Sequence, residues 1–184
     1  SGGLLSVVEE ETSRLSRMIH NVLTFARQEK KTLELHPVSA DLAESVKRVV
    51  ELGRPVLEKS GLKVLLEAAK PVRAVFDADA VEQILGNLLS NVEKYAAGSE
   101  VSIRVQDDGS VELHDSGPGI AAKDAARIFE PFYRSRNDLT EGVSGTGLGL
   151  SIAKALANAQ NGSLRLVNCG RGACFILQLP LATS

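Results

Sequence analysis

The chain has 184 residues, 43% of them hydrophobic and 24% charged, with a net charge of -2 and a pI near 6.0. That length holds one well-buried domain with an appendage and is too short for two full-sized domains. The slight acidity argues against nucleic acid as a partner, since such a surface needs clustered Lys and Arg against phosphates, and no apolar run is long enough to span a bilayer.

Ser1-Gly2-Gly3 reads as a cloning remnant and stands outside the helical pattern beside it. From Leu4 to about Lys31 one long helix is expected, because Leu15, Met18, Val22 and Phe25 recur three and four apart and the heptad extends back to Val8 and Leu4, interrupted by Glu11. Such a stripe is a seam for a partner helix. No second long helix is legible, so another copy or an absent segment is the expected partner. Alternating Leu33 and Leu35 before His36-Pro37 suggest a short strand and turn, and the boundary is set there, between residues 1–31 and 32–184.

Asp41 to about Lys59 is amphipathic through Leu42, Val46, Val49 and Val50, and Ser60-Gly61 stops it. Strands follow over 62–68 and 72–76 around Pro71, then a helix capped by Asp77 or Asp79 and ended by Gly98. Residues 101–106 and 111–114 alternate as a hairpin about Asp107-Asp108-Gly109. The stretch from Tyr133 to Gly145 is polar and aperiodic and reads as a mobile loop. A helix over 148–161 and strands over 164–167 and 173–179 complete the chain. Helices interleaved with a mostly antiparallel sheet imply an α+β, two-layer sandwich. Cys169 and Cys174 lack further ligands at metal spacing; they read as two thiols near a hairpin, in keeping with a reducing cytoplasm.

On the third helix, Asn87, Asn91, Lys94 and Tyr95 share one stripe, with Leu85, Leu88, Leu89 and Val92 facing elsewhere. Two amides are locally costly in a helix. An amide oxygen suits Mg2+, which takes few protein ligands beside phosphate and water oxygens, and Lys94 adds positive charge beside phosphates; the stripe also fits a plain solvated face. Asp115 follows a strand and precedes Gly117 and Gly119, where the backbone can approach a planar base without a Cβ in the way. A carboxylate only accepts hydrogen bonds, so it would take the exocyclic amine of adenine and repel the carbonyl of guanine; a simple Asp-Gly turn is the alternative. Gly117-Pro-Gly119 also fits a dinucleotide fingerprint in outline, but Pro118 removes a backbone donor and the preceding strand belongs to a hairpin.

Gly145, Gly147 and Gly149 open the helix near Leu148, where free N–H groups could meet polyphosphate, though no Gly-Lys-Ser/Thr ending makes it a P-loop. Arg134, Arg136 and Gly142 precede them in a stretch that suits a closing lid, while Phe129, Phe132 and Tyr133 anchor its base. His20, His36 and His114 show no ligand spacing.

Taken together in this order, the four stretches resemble the catalytic ATP-binding domain of sensor histidine kinases, in the superfamily shared with gyrase and MutL. Residues 87–95 look like the N box, 115–119 the first glycine box, 128–134 the F box and 145–150 the second glycine box; Arg14 to Arg27 is similar to the second helix of the dimerisation hairpin. The resemblance implies a Bergerat-type sandwich with ATP and Mg2+ as cofactors. It implies that Asn91 coordinates Mg2+, that Asn87 and Lys94 contact phosphates, that Tyr95 flanks the base and that Asp115 binds the adenine amine. Arg134 would lie near the terminal phosphate, as a catalytic group with Lys94, and Gly117, Gly119, Gly145, Thr146, Gly147, Leu148 and Gly149 would line the nucleotide.

Val92 stands where the family has Ala. No segment matches the phosphoacceptor box, since His20 is in the wrong helix, so the acceptor histidine is expected on a helix absent from this chain and autophosphorylation is not expected. The implied partners are a second copy through the first helix, that histidine-bearing helix and a response-regulator receiver domain. The expected location is the cytoplasm, with inner-membrane anchoring of a longer protein left open. Two rivals stand beside this reading: a nucleotide sensor of the same fold without transfer, and a gyrase-type ATPase, for which Glu82 is the nearest candidate base.

Overall fold

The amphipathic stretch at the start forms a single helix, α1 (Gly2–Glu29), within a first unit, Ser1–Glu34. Leu15 and Val22 of its seam are exposed, as are Leu4 and Val8. The remaining elements form a second unit, Leu35–Ser184. This computed structural model describes residues 2–136, 138 and 145–183.

The strand expected at Leu33 and Leu35 lies instead just beyond Pro37, as β1 (Val38–Asp41). Its partner is β3 (Arg73–Phe76), antiparallel from Val38↔Phe76 to Asp41↔Arg73, so the pairing begins only after the proline that lacks an N–H. Near the chain end, Val75 N–H donates to the Pro180 carbonyl and Ala182 N–H to that of Arg73, extending this small sheet. Asp41 caps α2 (Leu42–Lys59): its Oδ1 accepts from Ala43 N and also from Val72 N, tying the cap to the residue before β3.

The main sheet has five strands. β2 (Lys63–Glu67) runs parallel to β4 (Glu100–Val105), and β4, β5 (Ser110–Asp115), β7 (Cys174–Gln178) and β6 (Ser163–Val167) follow antiparallel in the order β2-β4-β5-β7-β6. The two strands flanking Pro71 therefore belong to different sheets. Alternation along the strands sends Val101, Ile103, Val111, Leu113, Leu164, Phe175 and Leu177 to one buried face. The other face carries charge, with Arg104 between its directly opposed neighbours Glu67 and Glu112. Three helices are packed together with the sheet: α2, α3 (Ala78–Tyr95) and α5 (Gly149–Ala159), with α3 touching both others. A short α4 (Ala122–Ala125), absent from the sequence expectation, lies between β5 and α5. The architecture is the expected α+β two-layer sandwich with a mixed sheet.

Candidate nucleotide site

The C-terminal half of α3 is where the separate sequence stretches meet. Asp77 caps this helix, and its apolar residues Ile84, Leu85, Leu88, Leu89 and Val92 are buried. That packing fixes the rotation of the polar stripe. Asn87, which a solvated stripe would have left in water, is only 2% exposed. It faces the start of α5, where a Cβ added to Gly149 would meet Asn87 Cγ at 3.7 Å. One turn on, Asn91 is half-buried, and Lys94 reaches the second glycine-rich stretch, its Nζ 3.1 Å from where a Cβ of Gly145 would sit.

Asp115 ends β5 opposite Val101, on the inward register shared by Val111 and Leu113. It is 7% exposed. A carboxylate there must be hydrogen-bonded to be tolerated, and its Oδ1 accepts from Gly117 N–H at 2.9 Å and Ala173 N–H at 3.4 Å. Among the described residues both of these bonds fall on Oδ1. Gly117 then presses on the end of α3: a Cβ would lie 2.7 Å from the Ala96 Cβ. Gly119 turns with φ +79, and a Cβ would fall 2.9 Å from the Gly172 carbonyl.

The aromatic stretch closes onto the same region. Phe132 N–H donates to the Gly147 carbonyl at 2.9 Å, and Gly147, at φ +74, leaves no room for a Cβ beside the Phe132 and Tyr133 backbone. Phe132 itself has φ +65, a strained value for an aromatic residue, and is 59% exposed. Tyr133 donates to Asp124 on α4 at 2.6 Å, and the Arg127 guanidinium lies over its ring. Phe129 packs edge-on against Phe175 with Lys154 above its ring. Thr146 Oγ1 accepts from Leu148 N–H, and Leu148, the N-cap residue of α5, is buried.

Tyr95 is the outermost residue of the stripe. Its hydroxyl donates to Asp138 at 3.2 Å; burial first, then the Asp138 charge and hydrogen bond, push its phenol up to about 12 against the opposing charge of Arg134. Ser135 and Asp138 exchange backbone–side-chain bonds in a capping-box arrangement. The sequence reading missed Asp138, although Ser135-x-x-Asp138 was a legible signal, and it missed the 172–173 wall against Asp115. Most of the lid expected between Tyr133 and Gly145, Gly142 included, lies outside the described residues. Glu82, the rival base, is exposed and off the stripe. Among the described residues there is no group of three or more His, Cys, Asp or Glu side chains able to hold a metal. No helix among the described residues is long and apolar enough to cross a membrane.

Comparison with known proteins identifies relatives of this fold. The family model for histidine kinase-, DNA gyrase B- and HSP90-like ATPases matches residues 76–183. Sensor protein SrrB of Staphylococcus aureus (strain N315) is 30% identical over 181 residues, covering 96% of this chain and 31% of SrrB. The chain thus spans about a third of the length of that curated relative. Among solved structures, full-length ShkA in complex with AMPPNP is 28% identical with a TM-score of 0.73, over 99% of this chain and 39% of ShkA. Histidine kinase ThkA in complex with the response regulator protein TrrA shares the fold, with a TM-score of 0.70 at 23% identity, over 97% of this chain and 51% of that one.

Proposed function

Because the chain belongs to the family of histidine kinase-, DNA gyrase B- and HSP90-like ATPases, with sensor histidine kinases among its relatives, we propose that it binds Mg-ATP and passes the terminal phosphoryl group to a histidine on a helix outside this chain. The observation that carries the reading is the meeting of the motifs around the last turns of α3, where Gly117 beside the buried Asp115 reaches Ala96 while Lys94 and Asn87 face Gly145 and Gly149.

Asp115 accepts the adenine amine, and Gly117 and Gly119 let the backbone approach the base, with Tyr95 flanking it. Asn87 and Lys94 bind phosphate oxygens, and the glycines from Gly145 to Gly149, with Thr146 and Leu148, line the polyphosphate beside the start of α5. Arg134, whose charge already acts on Tyr95, approaches the terminal phosphate. A half-buried amide suits Mg2+, which prefers few protein ligands, and Asn91 would hold the ion. When bound, the ion would neutralise charge on the phosphate oxygens. Transfer of this kind depends mostly on positioning and charge, which these residues supply. A second copy through α1 and a response-regulator receiver domain are the proposed partners; the ThkA–TrrA assembly offers the precedent in this fold.

Calorimetric titration with a nonhydrolysable ATP analogue tests the site. Asp115→Asn is expected to weaken binding about tenfold or more, by the worth of a charge-assisted hydrogen bond, and Asn91→Ala to remove the magnesium dependence. Unchanged affinity in both variants would place the site elsewhere. With labelled ATP, acid-labile phosphoprotein is expected only when a hairpin bearing the acceptor histidine is added; label on this chain alone would refute the assignment of the acceptor.

A further inference from the structure

The hairpin joining β6 to β7 carries chemistry that nucleotide binding does not use. Cys169 is exposed and Cys174 buried, and both are free thiols. Cys174 stands in register with Val167 on one side and His114 on the other, so it is across from the residue that precedes Asp115. The hairpin register sets Cys169 two residues beyond Val167, which stands opposite Cys174, and burial, with Cys169 and the Glu112 charge behind it, pushes Cys174 up to about 12. Cys169 also approaches the Arg171 carbonyl, to which His114 Nε2 is bonded at 2.8 Å. Gly170 and Gly172, at φ +90 and +80, turn the loop tightly enough to bring its ends together.

That loop is packed against Asp115 without slack. A Cβ on Gly172 would overlap the Asp115 carbonyl oxygen, Ala173 N–H donates to Asp115 Oδ1, and Asp115 N–H donates to the Ala173 carbonyl at 3.0 Å. We propose that Cys169 and Cys174 form a thiol–disulfide modification site, closed by a low-molecular-weight oxidised thiol, whose closure disturbs the Asp115 carboxylate and so weakens adenine-nucleotide binding. Only the last clause rests on the role proposed above for Asp115.

The exposed Cys169 thiolate attacks one sulfur of the small disulfide, breaking its S–S bond and releasing one thiol. Cys174 sulfur then attacks Cys169 sulfur, its proton passing to the departing second thiolate; the protein loses two hydrogens and two small thiols are formed. The two sulfurs must close to about 2.05 Å when bonded. The loop contracts in consequence, and because Gly172 cannot move toward the Asp115 carbonyl, the long bond from Ala173 to Oδ1 is the one that yields. A ring this short constrains the unfolded chain little, so the link is readily reduced again.

The test titrates the whole chain with oxidised glutathione and reads intact mass, hydrogen exchange over 113–119 and analogue affinity. Expected are a mass lower by two hydrogens, a Cys169–Cys174 linked peptide, faster exchange over 113–119 and affinity reduced about threefold to tenfold, the worth of one hydrogen bond. A dithiol reductant reverses all four, and Cys169→Ser keeps the affinity of the thiol form while losing the response to oxidant. Glutathione adducts on Cys169 without the internal link would overturn the proposal, as would a link that leaves exchange and affinity unchanged. Faster exchange on oxidation in a protein whose reduced form binds no nucleotide would uphold the coupling to Asp115 and refute the reading of Asp115 as the adenine acceptor.

Discussion

An aspartate on the inward register of a central strand, between apolar positions, would cost several kcal/mol if its carboxylate lacked partners. Asp115 meets that cost with backbone N–H groups from two separate segments, Gly117 and Ala173, and this makes Gly117 a sensitive position. A methyl group there would meet the Ala96 Cβ at 2.7 Å and Asp115 Oδ1 at 3.0 Å. Gly117→Ala should therefore lower stability by about 1–3 kcal/mol, the usual range for overpacking, and weaken nucleotide binding. Adding Ala96→Gly removes the nearer atom and should restore part of both. Urea unfolding and analogue titration check this; a Gly117→Ala protein as stable as its parent would show that the end of α3 gives way freely. Asp115 and Gly117 were legible in the sequence because a carboxylate and glycines after an alternating strand is a local pattern. The burial of Asn87 was not, because periodicity reports which face a residue occupies and only the arrival of α5 decides whether that face meets water.

Elements are joined here by a few caps that reach beyond their own helix. Asp77 caps α3 through Ala80 N–H, accepts from His36 N–H at 2.8 Å, and donates its own N–H to Gln160 at the end of α5. Burial works to raise its carboxyl pKa, and the N–H groups of His36, Ala80 and Asp79 together outweigh it and hold the group below the usual range. The unfolded chain thus takes up this proton first, so the contribution is present above the ordinary carboxylate pKa near ~3.9 and is lost as pH falls through the lower folded value. Asp77→Ala should cost about 1–2 kcal/mol at neutral pH and Asp77→Asn much less, since Asn also caps well. The gap between the parent and Asp77→Asn should narrow in acid, read from urea midpoints near neutrality and below about pH 3; a gap independent of pH would mean that the carboxylate charge contributes nothing. At this scale caps, glycine stops and the Asp107-Asp108-Gly109 turn made most elements legible. Leu33 and Leu35 misled because two alternating leucines say nothing about whether a strand lies opposite, and β3 pairs only with residues beyond Pro37.

For the molecule as a whole, each of the two units carries its own surface chemistry. Along α1, Leu4, Leu5, Val7, Val8, Leu15, Ile19, Val22 and Leu23 are all exposed, a wider apolar surface than the heptad stripe alone suggested. Contiguous apolar exposure of this kind favours a partner. The chain should self-associate through α1, seen as concentration-dependent sedimentation, and Leu15→Glu with Val22→Glu should shift it to monomer by placing like charges on the seam. A parent that stays monomeric at high concentration would end that proposal. The residues assigned to the nucleotide, from Asn87 to Gly149, all belong to the Leu35–Ser184 unit, and that unit carries its own core. The charged double variant should accordingly bind the ATP analogue as tightly as the parent while losing its dimer. If affinity fell together with association, binding would require α1 as well, and a site confined to the second unit would no longer account for it.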